Sequence, residues 1–209
     1  MSRYARVVVL VVSLVSVFGV MSAAAGAVTW TNSGDTAFTA TVVGGTLSST
    51  GSSGSCPAGA TATGTVASSP FVGNTWAGLT STGTASNCTL AGVSTTLRCS
   101  YTLTAQSWVS GMPAVTTGTA DINCDMTQFG TTICRLTGTG SGSYTNPLSP
   151  STFGKATSGT GSLKVSNGTS GTCPMGNGDS VSVTHGTSTI TGATGGPTPH
   201  LGPTITRTS

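Results

Sequence analysis

Side chains able to do acid–base or metal chemistry are scarce in this 209-residue chain, which has four aspartates, no glutamate and two histidines. Asp121 and Asp125 stand four apart in a stretch that alternates like a strand, so they share one face. Two carboxylates on one face suggest a glycosidase pair or a calcium site. Asp121-Ile122-Asn123-Cys124-Asp125 does open like a D-x-N-x-D calcium loop, but Met126 stands where the loop's glycine belongs and Thr132 where its bidentate glutamate belongs. Solvated surface carboxylates are the plainer reading. His185 alternates with Val181 and Val183, which suits a satisfied strand-end histidine better than a catalytic base. No G-x-S-x-G nucleophile elbow occurs, there is no C-x-x-C, and two isolated histidines do not make a zinc site. With so few groups for proton transfer, the chain is expected to be non-enzymatic, with no cofactor and no metal.

The six cysteines, Cys56, Cys88, Cys99, Cys124, Cys134 and Cys173, are the remaining reactive groups, and their even number favours disulfides in an exported chain. One pair follows from register. If Cys99 to Ser107 and Thr116 to Cys124 form a hairpin around Gly111-Met112, then Cys99 faces Cys124, Tyr101 faces Ile122 and Leu103 faces Ala120. Ser100 with Asn123, Thr102 with Asp121 and Thr104 with Thr119 take the other face. Apolar meets apolar and polar meets polar, as a correct register requires. The rival, Cys88 with Cys99, aligns Leu90 with Leu97 but leaves Cys124 for Cys134 and sets Asp125 against Ile133. Cys99 with Cys124 is preferred because it makes both faces consistent.

These residues need a strand framework, and period-2 alternation recurs while no stretch keeps an apolar stripe at helical spacing. Strands are expected near Ala37 to Val43, Thr61 to Ser68, Leu79 to Thr89, Leu97 to Ser107, Thr116 to Asn123, Ile133 to Tyr144, Ser162 to Ser166 and Ser180 to Thr189. Gly44-Gly45, the Ser/Gly run from Ser48 to Ser55, Gly111-Met112-Pro113, Asn146-Pro147 and Gly171 to Gly178 read as turns. Short strands with regular turns predict an all-β fold, an antiparallel sandwich with a closed barrel as the alternative. The Pro/Gly/Thr mixture of residues 192–209 reads as a flexible tail, which leaves 28–191 as one domain.

The first 27 residues read as a secretory signal peptide. Arg3 and Arg6 give a positive start, Val7 to Val20 an apolar run too short to span a bilayer, and Ala23 to Ala27 a small-residue cleavage site. Cleavage after Ala27 is the first choice and after Ala25 the second. The mature chain then carries five basic and four acidic residues, a net of +1. Arg98, Arg135, Lys155, Lys164 and Arg207 are scattered, so neither a nucleic-acid footprint nor a lasting membrane anchor is expected. The expected location is extracellular or cell-wall associated.

Two readings of the role remain: a structural or surface component with a neutral, hydroxyl-covered face, or a glycan- or partner-binding module. The second would use exposed aromatics, with Trp108 and Trp76 as candidates. The register above puts Trp108 with Thr102, Thr104 and Gln106 on the polar face at a hairpin end, where an indole can stack on a sugar. The preferred reading of Trp108 is nevertheless that it plugs the open end of the β fold, as large strand-end aromatics commonly do, with Trp30 and Trp76 as similar cases.

The succession Ala62-Thr63-Gly64-Thr65-Val66, Ser86-Asn87-Cys88, Trp108, Leu136-Thr137-Gly138-Thr139-Gly140, Tyr144-Thr145-Asn146, Leu163-Lys164-Val165-Ser166-Asn167, Cys173-Pro174 and Gly178-Asp179 resembles a broad set of secreted actinobacterial β-rich proteins. The likeness runs from about Val28 to Thr189 and rests on turns and cysteines. It implies the outer pairs Cys56 with Cys88 and Cys134 with Cys173, and it carries over no functional residue.

Overall fold

Thr, Ser, Val and Gly dominate the chain, and residues of this kind favour extended backbone over helix. A computed structural model describes residues 28–66, 71–72, 75–148, 152–168, 173–194 and 200–208. The expected signal peptide lies outside these residues. Among them there is no helix, and the strands are β1 (Thr29–Gly34), β2 (Ala37–Thr41), β3 (Gly45–Ser49), β4 (Ser52–Cys56), β5 (Thr61–Thr65), β6 (Phe71–Val72) and β7 (Thr75–Leu90). There follow β8 (Val93–Val109), β9 (Val115–Gln128), β10 (Thr131–Thr145), β11 (Gly154–Asn167), β12 (Ser180–His185), β13 (Thr187–Thr194) and β14 (Pro203–Arg207).

The pairing is antiparallel throughout; β14, β1 and β6 form a separate three-stranded sheet, and the other eleven strands form a sheet that returns on itself. β7, β8, β9, β10 and β11 are long and each pairs with the next. The short strands complete the wall in two tiers, β4–β3–β12 at one level and β5–β2–β13 at the other, both spanning from β7 to β11. β2 with β3, β4 with β5 and β12 with β13 thus act as three long strands, each interrupted midway. The interruptions lie side by side: Gly59 N donates to Val42 O at 2.9 Å and Gly186 N to Gly44 O at 3.4 Å. This hydrogen bonding fits the flattened section of a sandwich as well as a rounder barrel. Either way, each of these strands has a partner on both sides.

The hairpin of β8 and β9 has the register derived from the sequence: Cys99 faces Cys124, Tyr101 faces Ile122 and Leu103 faces Ala120. The disulfides are Cys56–Cys88, Cys99–Cys124 and Cys134–Cys173, with Cα separations of 4.1, 4.0 and 5.0 Å. In the chain-entropy view each closes a loop of tens of residues and stabilises by about 3–4 kcal/mol.

Two expectations are corrected. The Ser/Gly run Ser48 to Ser55 is not a turn as a whole, since β3 and β4 pair through it from Gly45 opposite Cys56 to Ser49 opposite Ser52. Serine and glycine are weak strand formers, so local composition hides this hairpin. Its packing against β7 requires the small residue, because a Cβ at Gly54 would collide with the Thr89 carbonyl oxygen. The expected tail is also ordered in part: β13 runs on to Thr194, and β14 pairs with β1 from Trp30 opposite Arg207 to Gly34 opposite Pro203. Proline is tolerated as the first residue of a strand, and Thr204-Ile205-Thr206 behind it alternates, with Ile205 only 1% exposed.

Buried residues fall into two clusters. One gathers Leu90, Cys99, Cys124, Met126, Leu136, Leu163 and Val181, and includes two of the disulfides. The other gathers Trp30, Phe38, Tyr144, Ile190 and Ile205 and holds none. Polar clamps fix β14 there instead. Asn146 Nδ2 donates to Ile205 O at 2.7 Å while its Oδ1 accepts from Ile205 N at 3.0 Å, and the Tyr144 hydroxyl donates to Pro203 O at 2.6 Å.

Asn146→Ala strips both buried backbone groups of Ile205 of their partner, and each such loss costs about 1–3 kcal/mol. Urea melts are expected to report a loss of about 2–4 kcal/mol; a change within ~0.5 kcal/mol would mean that β14 is not held by this clamp.

Candidate functional site

Asp121 and Asp125 do share the outer face of β9, but four residues of strand separate them by about 13 Å, beyond the reach of a paired-carboxylate mechanism. Asp125 faces Arg98 on one side and Arg135 on the other, and Arg135 Nε reaches its Oδ1 at 3.1 Å. Asp121 lies between Thr102 and Thr139. Among the described residues no group of three His, Cys, Asp or Glu could hold a metal ion. The backbone of His185 pairs with Gly45, and its side chain is outside the described set, as is that of Trp76 in β7.

An acid–imidazole pair joins two residues that no motif or spacing had marked. Asp35, just after β1, is 1% exposed; its Oδ1 lies 2.7 Å from His200 Nδ1, and its Oδ2 accepts from Gly202 N at 3.1 Å. The residues are 165 apart in sequence, and His200 falls in the expected tail, so no local pattern could join them. Glycine at 192 makes room, since a Cβ there would strike the Asp35 carboxylate. The arrangement matches the orienting half of a hydrolase triad. Among the described residues, however, no hydroxyl or thiol is hydrogen-bonded to the imidazole, and the bonds tie the chain entering β14 to the β1–β2 corner.

Trp108 is not on the polar face. The register of β8 slips by one between Ala105 and Ser107, which carries Trp108 opposite Thr116 and turns its ring inward against the cluster of Trp30 and Phe38. A bulge flips the facing of every later residue in its strand, and a one-residue insertion has no compositional mark. Among the described residues two aromatics are left outside, Phe129 and Phe153, and Phe129 is the more exposed. It is 98% exposed at the β9–β10 turn with φ 49°, in a left-handed conformation that asparagine or glycine adopts without strain.

Between the two clusters lies a cavity of about 240 Å³. Its wall is made of small inward residues. Ala105 faces Gly118 across β8 and β9, Ala120 faces Gly140 across β9 and β10, and Gly140 faces Gly161 across β10 and β11. Ala40 and Ala62 face each other across β2 and β5 on the opposite tier. Tyr101, Leu103 and Ile122 add the larger surfaces. Thr116 also lines the space; it is 3% exposed, and its Oγ1 has no hydrogen-bond partner among the described residues, like Nε1 of Trp108 across the pair.

Burial pushes the Tyr101 phenol above its ordinary value, and burial together with the nearby Asp35 charge pushes that of Tyr144 higher still. No protein-family description, curated protein or solved structure matches this chain.

Raised phenol values mean that the folded state favours the neutral side chains. The stability they contribute is fully present below the ordinary value of 10.0 and is lost as pH rises beyond it. In the chain from Val28 onward, whose only tyrosines are these two, the phenolate absorbance step is expected to coincide with alkaline unfolding. A reversible step near pH 10 in the folded protein would contradict the burial of these rings.

Proposed function

We propose that the chain is exported and works outside the cell as a non-enzymatic structural or surface-associated domain. The observation that carries this reading is the pairing of all six cysteines, with no free thiol, in a closed antiparallel circuit. Such bonds persist in oxidising compartments. The outward faces support it as well, since β8, β9 and β10 present Thr102, Asp121 and Thr139 in one row and Ser100, Asn123 and Thr137 in another. A hydroxyl- and amide-rich face with few charges stays hydrated and binds little through electrostatics.

Phe129 favours a second reading, in which the domain grips a glycan or partner through an aromatic at a turn. A bulky residue held at positive φ stores strain of about 1 kcal/mol, and strain of this kind concentrates where function requires it. Trp108 no longer serves this reading, because its ring faces inward.

Measurements on the secreted protein test these readings. Its amino terminus is expected at Val28 or Gly26, with no reactive thiol; a cytoplasmic chain with an intact leader would overturn export. Cell-wall pull-downs and glycan arrays are expected to give no saturable retention under the structural reading, and retention abolished by Phe129→Ala at an unchanged melting temperature would replace it with the second. Trp108→Ala is expected to lose about 2–4 kcal/mol of stability, somewhat below the cost for a fully buried aromatic, and near-wild-type melting would contradict its inward packing. Phe129→Asn, which relieves the turn, is expected to raise stability by about 0.5–1 kcal/mol.

A further inference from the structure

We infer that the end of the fold carrying the β8–β9 and β10–β11 loops is a docking surface for an anionic lipid bilayer. The inference rests on the reading that the mature chain works at a surface outside the cell, and it says which surface.

Three observations carry it. The first is where the exposed apolar side chains fall. Among the described residues Val43, Val109, Met112, Phe129 and Phe153 are the large hydrophobics left in solvent, and three of them belong to this end. Val109 closes β8 and is 62% exposed, Met112 stands on the loop beyond it at 90%, and Phe153 leads into β11 at 41%. The two loops are neighbours, because Val109 faces Val115, Val115 faces Thr145, and Asn146 N donates to Ala114 O at 2.9 Å. Single exposed hydrophobics are ordinary, but a group of them rimmed by polar residues marks an interaction site.

The second is charge. Lys155 faces Thr145, and Arg207 lies two residues beyond Ile205, which Asn146 holds at this same end; both cations are exposed. The acids lie elsewhere. Asp121 and Asp125 are about 20 and 33 Å down β9 from Val115, and Asp179 is bonded to Val165 toward the far end of β11. Asp35 is buried, with its carboxylate on His200 and Gly202 N. A headgroup layer suits this arrangement, since apolar side chains enter below the phosphates while Lys and Arg stay level with them.

The third is shape. A stable protein partner needs roughly 800 Å² from each side, which three side chains on projecting loops do not supply. Lipids have no such requirement, because they close around each side chain separately. The docking is therefore to a bilayer, and it is reversible.

The test uses the oxidised chain from Val28 onward, sedimented with vesicles of phosphatidylcholine alone or of an equal mixture with phosphatidylglycerol. Saturable binding is expected to the mixed vesicles, about tenfold tighter than to phosphatidylcholine and weakened by high salt. Met112→Ser and Phe153→Ser are expected to weaken it about tenfold each, and Lys155→Gln about fivefold. Phe129→Ser, at the opposite end, is expected to leave it unchanged. In a Met112→Trp protein the added emission is expected to shift to the blue on binding and to be quenched by lipids brominated on their acyl chains. Absence of saturable binding to the mixed vesicles would overturn the inference. So would equal binding to both compositions, a loss with Phe129→Ser as large as with Met112→Ser, or Met112→Trp emission that the brominated lipids leave untouched. If Phe153→Ser does not fold, the two Met112 variants, whose site is exposed, decide the matter alone. A processed amino terminus on a chain that ignores vesicles would leave export standing and end this inference; an unprocessed leader would end export without touching the vesicle result.

Discussion

Closure of the hydrogen-bonded circuit is the constraint on which the other features rest. Each strand from β7 to β11 pairs with the next, and the first strands, β2 and β3, meet the last, β13 and β12. A sheet that closes leaves no row of open amides and carbonyls, and therefore needs no charged edge to deter other chains. That matters for a sequence in which only 5% of residues are charged. It also explains the side-by-side interruptions at Val42–Gly44, at Gly59–Ala60 and at Gly186, which let three strands bend together where the wall divides into tiers.

The two ends of the circuit are secured by different chemistry. Disulfides serve the end built around Leu136 and Val181, where Cys99–Cys124 and Cys134–Cys173 lie within the packed cluster. The other end relies on Asp35, Tyr144 and Asn146, each of which spends its side-chain hydrogen bonds on the backbone or the imidazole of residues 200–205. Buried polar groups stabilise only when satisfied, so this end is held by geometry that a single lost partner would expose. Between them the inward residues are too small to meet, and the cavity follows from a closed wall of fixed circumference lined with alanine and glycine.

Much of this was legible from the sequence, and the limits have physical causes. The β8–β9 register could be read because its apolar and polar residues alternate without fault from Cys99 to Ala105 and back along β9. The register failed at Trp108 because the bulge just before it changes facing without changing composition, and its inward packing agrees with the end-plug reading rather than with the polar face. β4 was hidden by serine and glycine, whose place in a strand is set by close approach to β7 rather than by propensity. β14 was hidden by its proline-rich approach, although Thr204-Ile205-Thr206 carries a short alternation. Asp35 with His200, and Asn146 with Ile205, are contacts across most of the chain or a third of it, and one sequence holds no local trace of such pairs.

The central claim is that the first and last strands of the circuit are joined, and native-state hydrogen exchange reads that join most directly. Amides of β2, β3, β12 and β13 that bond across the seam are expected to exchange as slowly as those of the β8–β9 hairpin, since they open only with the whole domain. Fast exchange along the seam while β8 and β9 stay protected would mean an open sheet with free edges, and would contradict closure.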